Sequence, residues 1–184
     1  MSQDALPQDT SDAVDLFIEQ WHVERPDLDP SAKAITGRIV RLASIFQRRF
    51  GEAFADLDLT EGDYGVLVAL RRSGEPFELT PTELARARMM TSGGMTAVID
   101  RLDRRALVER LPNPADRRGS IVRLTPEGRA ATDRAMEAHT AVEHELVTAL
   151  DEHDRERLAG LLRILLHSNE PDHPGRSATT SDQR

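Results

Sequence analysis

The sequence predicts a mainly helical protein with one small β-hairpin, an α+β fold class, in a chain of 184 residues. Apolar residues recur at spacings of three and four along most of the chain, which is typical of amphipathic helices. Threonines followed by proline, or by an acidic residue three positions later, indicate where several of those helices begin. Between residues 107 and 124 the apolar spacing changes to two, in the runs LVERL and SIVRL, which predicts two short strands.

The N-terminal part predicts two helices after a short tail. Residues 1–10 are polar and are expected to be disordered. The stretch SDAVDLFIEQW has apolar side chains at helical spacing, with Ser11 as the expected cap. Two prolines in RPDLDP disfavour helix before them and predict a break. A long helix over 31–55 follows, with an apolar stripe from Ile35 to Phe50.

Three shorter helices are predicted next. Thr60, with Asp63 three positions later, begins the first, and RRSGEP ends it. Thr80 begins the second in the same way, with proline at the first helical position. The third is predicted in TSGGMTAVIDRLDRRAL, and its i, i+3, i+4, i+7 set is expected in the core: Met95, Val98, Ile99 and Leu102.

Two helices and a second tail are predicted after the hairpin. LTPEGR begins a long helix, with Thr125 as its cap. DRERLAGLLRILLHS forms the last helix, and its leucines present more apolar surface than one small domain easily covers. We therefore expect this helix to lie in an interface. Residues 170–184 are polar and rich in proline, glycine and serine, and they are expected to be disordered.

The segment PNPADRRGS, residues 112–120, joins the two strands and contains two adjacent arginines. Its length predicts a loop too long for a tight hairpin turn. The whole chain has a net charge of −8, yet residues 80–124 contain nine arginines against five acidic residues, hence +4, which leaves −12 for the rest. Because phosphate binding depends on the local field, this basic region is compatible with a nucleic-acid partner.

Three helices followed by a hairpin are typical of a winged helix-turn-helix domain, whose third helix enters the major groove of DNA. Small or hydroxylated residues are expected at the start of that helix, where the chain approaches phosphates and base edges. The expected DNA-binding residues of the helices are Arg86, Arg88, Thr91, Ser92, Gly93, Thr96 and Arg101.

The hairpin is expected to serve as the wing of that domain. Arg117 and Arg118 lie at its tip and are expected to enter the minor groove, where narrow stretches attract arginine. Asp116 is expected to orient the wing by accepting hydrogen bonds from loop amides and from a nearby arginine, with Arg101 as the candidate donor.

The segment from LTPTELAR to LTPEGR resembles the core of the multiple antibiotic resistance regulator (MarR) family, in its Asp-Arg-Leu at 100–102, its LVER strand and its DRRG wing tip. The resemblance in layout covers roughly residues 31–168. It implies a homodimeric repressor that binds a palindromic operator in double-stranded DNA and is released by a small ligand. It also implies three regions: N-terminal dimerisation helices with a candidate ligand cleft over 11–55, a winged helix-turn-helix domain over 56–124, and C-terminal dimerisation helices over 125–169.

The stretch WHVERPDLDP is similar to the leader of the urate-responsive branch of this family. That branch is expected to bind its ligand through one tryptophan, one aspartate and two arginines. Trp21 and Arg110 match the tryptophan and the arginine of the first wing strand, and they are the candidate ligand-binding residues. The other two positions fall on Gly65 and Val98, so urate itself is not expected as the ligand.

Other functional classes are disfavoured. The chain has no cysteine, no apolar run of membrane-spanning length and no signal-peptide pattern, which agrees with a cytoplasmic protein. It shows no phosphate loop, nucleophile elbow or metal-ligand motif, so neither catalysis nor a cofactor or metal is expected, and the six histidines are assigned to solvated surface. Two alternatives stay open: a winged-helix module for protein contacts, and a DNA-binding regulator that responds to no ligand.

Overall fold

The computed structural model describes residues 11–88, 92–114 and 116–170, without the side chains of residues 88, 92, 117 and 118. The described part is mostly helical with one small antiparallel sheet, so the predicted fold class is confirmed. Its elements in chain order are α1 (Ala13–Glu24), α2 (Lys33–Ala55), α3 (Glu61–Arg72), β1 (Glu78–Leu79), α4 (Pro81–Arg88), α5 (Ser92–Arg104), β2 (Val108–Asn113), β3 (Asp116–Leu124), α6 (Pro126–Leu146) and α7 (Glu152–Asn169).

Helix α1 is capped by Asp12, not by Ser11 as the sequence suggested. The Asp12 carboxylate accepts hydrogen bonds from the amides of Val14 (2.7 Å) and Asp15 (3.3 Å). In return, the Asp15 carboxylate accepts from the Asp12 amide (2.9 Å). Asp12 has an acidic residue three positions later, whereas Ser11 has valine there, so only Asp12 can form this reciprocal capping box.

Helix α1 is fastened to α2 by one arginine. Arg38 donates from Nε to Asp12 (2.9 Å) and from Nη2 to Asp15 (2.7 Å). Backbone amides at the helix start, together with Arg38, hold the pKa of both carboxyls below their ordinary value of 3.8. Beside this contact Val14 is buried, and a Cβ added to Gly37 would lie 3.1 Å from its Cγ1. The two helices therefore meet at close backbone distance.

Both capping boxes predicted for the middle helices are confirmed. The Thr60 hydroxyl accepts from the Asp63 amide (3.2 Å), and Asp63 accepts from the Thr60 amide (2.9 Å). Thr80 and Glu83 form the same pair at the start of α4, with distances of 3.2 and 2.8 Å. The helices α3, α4 and α5 enclose a core with the end of α2 and strands β2 and β3; its fully buried large side chains include Phe54, Leu67, Leu70, Leu84, Ile99, Leu102 and Val122.

The sheet has the order β1-β3-β2, with both pairings antiparallel. Strand β1 was not predicted, since two residues are too few to show a period. The prediction of a long hairpin loop is wrong, because β2 and β3 stay paired as far as Asn113 and Asp116, with a register shift at Pro112/Asn113. Pro112 lies in an edge strand, where the absence of an N–H donor is tolerated. Two residues separate the paired ends.

Helix α6 begins where the chain leaves β3. The Thr125 hydroxyl caps it by accepting from the Gly128 amide (2.9 Å), as the sequence predicted. The Thr125 amide donates to the Leu107 carbonyl (3.2 Å). At this point α6 runs so close to the start of β2 that a Cβ on Gly128 would lie 1.8 Å from the Leu107 oxygen. Only glycine fits there without movement of the backbone.

The described part of the chain divides into two compact units, of which the first ends at Thr140 and the second begins at Ala141. In the second unit, α7 is capped by Asp151, which accepts from the Asp154 amide (2.8 Å). No residue of α7 is buried, and its large apolar side chains are between 40 and 64 % exposed: Leu158, Leu161, Leu162, Ile164, Leu165 and Leu166. Among the described helices, none is both long and apolar enough to cross a membrane.

Candidate nucleic-acid interface

Helix α5 is the element that the sequence placed in the major groove. Met95, Val98, Ile99 and Leu102 are between 0 and 6 % exposed, which confirms their predicted place in the core. Thr96 is exposed on the other side of the helix. Because the apolar face fixes the rotation of α5 about its axis, the face that includes Thr96 is the one available to a ligand.

Arg101, on the same helix, is directed towards α3. Its Nε donates to both oxygens of Asp63 (2.9 and 3.1 Å), and its Nη2 donates to the Thr60 hydroxyl (3.1 Å). The expected hydrogen bond between Arg101 and the wing residue Asp116 is therefore wrong. Asp63 is 1 % exposed, and a buried carboxylate requires a charged partner, which Arg101 supplies. The sequence analysis predicted only a capping role for Asp63 and missed this second role.

The other candidate arginine, Arg110, lies in β2 and bonds to Asp100 of α5. Asp100 precedes Arg101, so two consecutive residues of α5 form ion pairs, one with the wing and one with α3. In the sheet itself, Arg123 bonds to Glu78 of β1 and lies 3.5 Å from Glu109 of β2. These pairs connect the three strands and the recognition helix into one body.

Helix α4 presents Arg86 to solvent, three residues beyond Glu83 of its capping box. The Thr80 amide and hydroxyl, and to a lesser extent Arg86, hold the pKa of the Glu83 carboxyl below its usual range. Glu83 is therefore occupied by the cap, and Arg86 is an exposed cation at the surface of the domain.

Several predicted DNA-binding residues lie outside the described part of the structure. Thr91 is one of them. The structure describes a helical backbone for Arg88, Ser92 and Gly93 and a strand backbone for Arg117 and Arg118, and the side chains of Arg88, Ser92, Arg117 and Arg118 lie outside its description.

Asp116 begins β3 at the wing turn, beside those two arginines. A Cβ added to Gly119 would lie 3.3 Å from Asp116 Oδ2 and 3.4 Å from Asn113 Nδ2. The Asp116 carboxylate is thus close to the backbone of the turn. This position is compatible with an orienting role, although its donor is not Arg101.

Trp21 lines a cavity of about 580 Å³ between α1 and α2. Phe17 and Val40 add apolar surface, while Lys33 and Arg41 add positive charge. The Lys33 ammonium lies 5.9 Å from the centre of the Trp21 ring, within the range of a cation–π contact. Arg110 is not among the lining residues, so the structure does not join the two ligand-binding candidates in this cavity. The positive charge of this cavity could have been predicted from the sequence, because residues 33–51 contain five basic and no acidic residues.

Gly65 and Val98, the positions that lack the urate-type carboxylate and guanidinium, are both buried. A carboxylate and a guanidinium do occur close by, at Asp63 and Arg101, but they bond to each other.

The assignment of all histidines to solvated surface is wrong for His139. Its ring stacks on Phe50 with centroids 4.1 Å apart, and it also contacts Tyr64 at 4.9 Å and Phe54 at 6.0 Å. Three elements, α2, α3 and α6, meet in this aromatic cluster. The sequence did not reveal it because the helices come together only in the tertiary structure. In the described ranges, no group of three histidine or acidic side chains could hold a metal ion.

Comparison with known proteins agrees with this geometry. Residues 57–119 match the model of the MarR family. The transcriptional regulator PecS of Dickeya dadantii is 30% identical over 146 residues, which cover 79% of this chain and 88% of that protein. The transcriptional repressor NicR of Pseudomonas putida is 30% identical over 137 residues, covering 73% of this chain and 84% of its own.

Among solved structures, a mutant of MarR from Escherichia coli complexed with operator DNA superimposes with a TM-score of 0.65. It is 30% identical to this chain, and the match covers 76% of this chain and 99% of that one. The relatives that these comparisons name are transcriptional regulators. The chain therefore belongs to the MarR family of winged-helix, DNA-binding transcription regulators.

Proposed function

We propose that this protein is a homodimeric repressor that binds a palindromic operator and releases it when a small ligand binds. The observation that supports DNA recognition best is the way α5 packs. Its apolar face is buried among α3, α4 and the sheet, and its opposite face is exposed. A recognition helix held in this way can enter the major groove as a rigid element.

In the proposed complex, the start of α5 meets phosphates and base edges through Thr91, Ser92, Gly93 and Thr96. Arg86 and Arg88, on the neighbouring helix, approach phosphates. Arg117 and Arg118 enter the minor groove from the wing, and Asp116 holds the turn that presents them. The exposure of Thr96 and Arg86 supports this arrangement.

The homodimer is supported by the apolar surface that one chain leaves exposed. Large apolar side chains on α1 and α2 that do not line the Trp21 cavity are between 40 and 77 % exposed: Leu16, Val23, Ile35, Ile39 and Leu42. Those of α7 are exposed as well. A second copy of the chain satisfies this need, because it supplies a matching apolar face.

The proposed ligand site is the cavity between α1 and α2. Its volume of about 580 Å³ lies within the range of small-molecule sites. Aromatic walls at Phe17 and Trp21 with cations at Lys33 and Arg41 suit a planar molecule that carries negative charge. Since Trp21 is the only tryptophan of the chain, quenching of its fluorescence measures binding in the wild type and in a Lys33→Gln variant. For Trp21→Phe, which has no tryptophan, the readout is the release of operator DNA by the ligand.

The decisive experiment for the proposed function is selection of duplexes from a random pool, followed by binding measurements over a range of salt concentrations. Contacts with several phosphates make affinity fall steeply with salt. A winged-helix protein-interaction module would select no duplex, and a ligand-insensitive regulator would bind operator equally well with every candidate ligand. We further propose that the protein is not an enzyme and acts in the cytoplasm, as befits a regulator of transcription.

A further inference from the structure

We infer that Arg101 is a positioning residue, which holds the recognition helix α5 on α3 through the buried carboxylate of Asp63 and does not contact phosphate. This inference rests on the proposed DNA-binding function and changes the role that the sequence suggested for Arg101. Asp63 caps a helix and has no direct part in DNA binding. By this inference it nevertheless determines operator affinity.

The hydrogen bonds of Asp63 support the inference first. Its Oδ2 accepts from the Thr60 amide (2.9 Å) and the Thr60 hydroxyl (2.8 Å), and also from Arg101 Nε (3.1 Å). Its Oδ1 accepts from Arg101 Nε (2.9 Å) and lies 2.7 Å from Nη2. Asp63 is 1 % exposed, so removing the guanidinium would leave a buried negative charge without a counter-ion. Arg101 is held in place and cannot turn to a phosphate without breaking this network.

The position of Arg101 along α5 supports the inference next. Arg101 is nine residues beyond Ser92, about 13 Å along the helix axis at 1.5 Å per residue. The N-terminal turns of a recognition helix are the ones that meet base edges. Arg101 instead lies beside the start of α3, where its Nη2 donates to the hydroxyl of the N-cap Thr60 (3.1 Å).

The preceding residue adds a second attachment. Asp100 pairs with Arg110 of β2, so α5 is tied to the wing by one residue and to α3 by the next. Two attachments in different directions fix both the tilt and the rotation of a helix more firmly than its apolar face alone. These two ion pairs set the angle between the recognition helix and the wing. Simultaneous contact with the major and the minor groove depends on that angle.

Arg104 provides a matched control on the same helix. It is exposed, and its Nε donates to the Asp100 carbonyl of its own helix (3.2 Å). Arg104→Gln removes the same charge as Arg101→Gln without touching Asp63. Arg86→Gln provides the opposite control, since a lost phosphate contact in each of two protomers should lower the slope of log K against log salt by about 1.8.

The test measures binding of a fluorescein-labelled duplex, selected by the wild-type protein from a random pool, and of an unrelated duplex of equal length. For Arg101→Gln we expect operator affinity to fall by about a hundredfold, since one charge-assisted hydrogen bond, worth about tenfold, is lost in each of the two protomers. The salt slope and the affinity for the unrelated duplex should stay unchanged. Arg104→Gln should match the wild type in all three quantities.

Arg101→Lys keeps the charge but not the two-nitrogen contact with Asp63, and it guards against a variant that fails to fold. We expect reduced operator affinity at an unchanged slope, with circular dichroism as in the wild type. A phosphate-contacting residue would instead tolerate lysine, and its glutamine variant would lower the slope as Arg86→Gln does; either result overturns the inference. A wild-type protein that binds no duplex at low salt would overturn the proposed function, and this inference with it.

Discussion

Replacing Gly128 by alanine tests whether the start of α6 is as close to β2 as the structure has it. The new Cβ would lie 1.8 Å from the Leu107 oxygen and 3.0 Å from Leu124 Cδ1, so the backbone must move by more than 1 Å. Overpacking of this kind costs about 1–3 kcal/mol. The movement also stretches two hydrogen bonds from Thr125 to the Leu107 carbonyl, at about 1 kcal/mol each. Alanine regains about 1 kcal/mol of helix propensity.

The balance is a destabilisation of about 2–4 kcal/mol, which corresponds to a melting temperature lower by roughly 5–15 °C for a chain of this size. The assay is urea unfolding followed by circular dichroism at equal protein concentration, because dimer stability depends on concentration. Gly51→Ala is the control, since a Cβ at this site meets nothing within 4 Å. It should be neutral or more stable by up to about 1 kcal/mol. A Gly128→Ala protein as stable as the wild type would refute the close approach.

Three further predictions concern the wing, helix α1 and the aromatic cluster. Arg117→Ala combined with Arg118→Ala should weaken operator binding and lower the salt slope by up to about 3.6 per dimer; unchanged affinity at moderate salt would remove the wing from the interface. Arg38→Ala should release α1 and alter Trp21 fluorescence at neutral pH. Because the carboxyls that Arg38 binds have lowered pKa values, their contribution to docking is complete above pH 3.8, and wild-type fluorescence should change only as the pH falls through the lower, folded-state values. His139→Ala should lower the free energy of unfolding by about 1–3 kcal/mol through lost ring contacts, whereas His139→Phe should retain most of it.

The helix boundaries were predictable because the determining interactions are local. The capping boxes at Thr60 and Thr80 depend on residues three positions apart, and the cap at Thr125 depends on the next turn of its own helix. The same local rule explains the one misplaced cap, since Asp12 and Ser11 are adjacent and only one has an acidic residue at the required distance. The apolar period of α5 likewise identified its buried face before any neighbour was known.

Partners of long side chains were not predictable from spacing. An arginine side chain is long enough to contact acidic residues on several neighbouring elements, so the sequence could not distinguish Asp116 from Asp63 as the partner of Arg101. The choice follows from the packing of α5 on α3, which buries one of the two carboxylates and leaves the other at the wing.

The sequence by itself determined the fold class, the order of the helices, the basic region and the resemblance to a family of regulators, because periodicity, capping and local charge are written in neighbouring residues. Only the tertiary structure decided that His139 stacks on three aromatic rings, that Trp21 shares a cavity with Lys33 and Arg41, and that Arg101 is held by a buried aspartate. Those contacts join residues from different elements. Their partners are selected by which faces the packing of the core brings together.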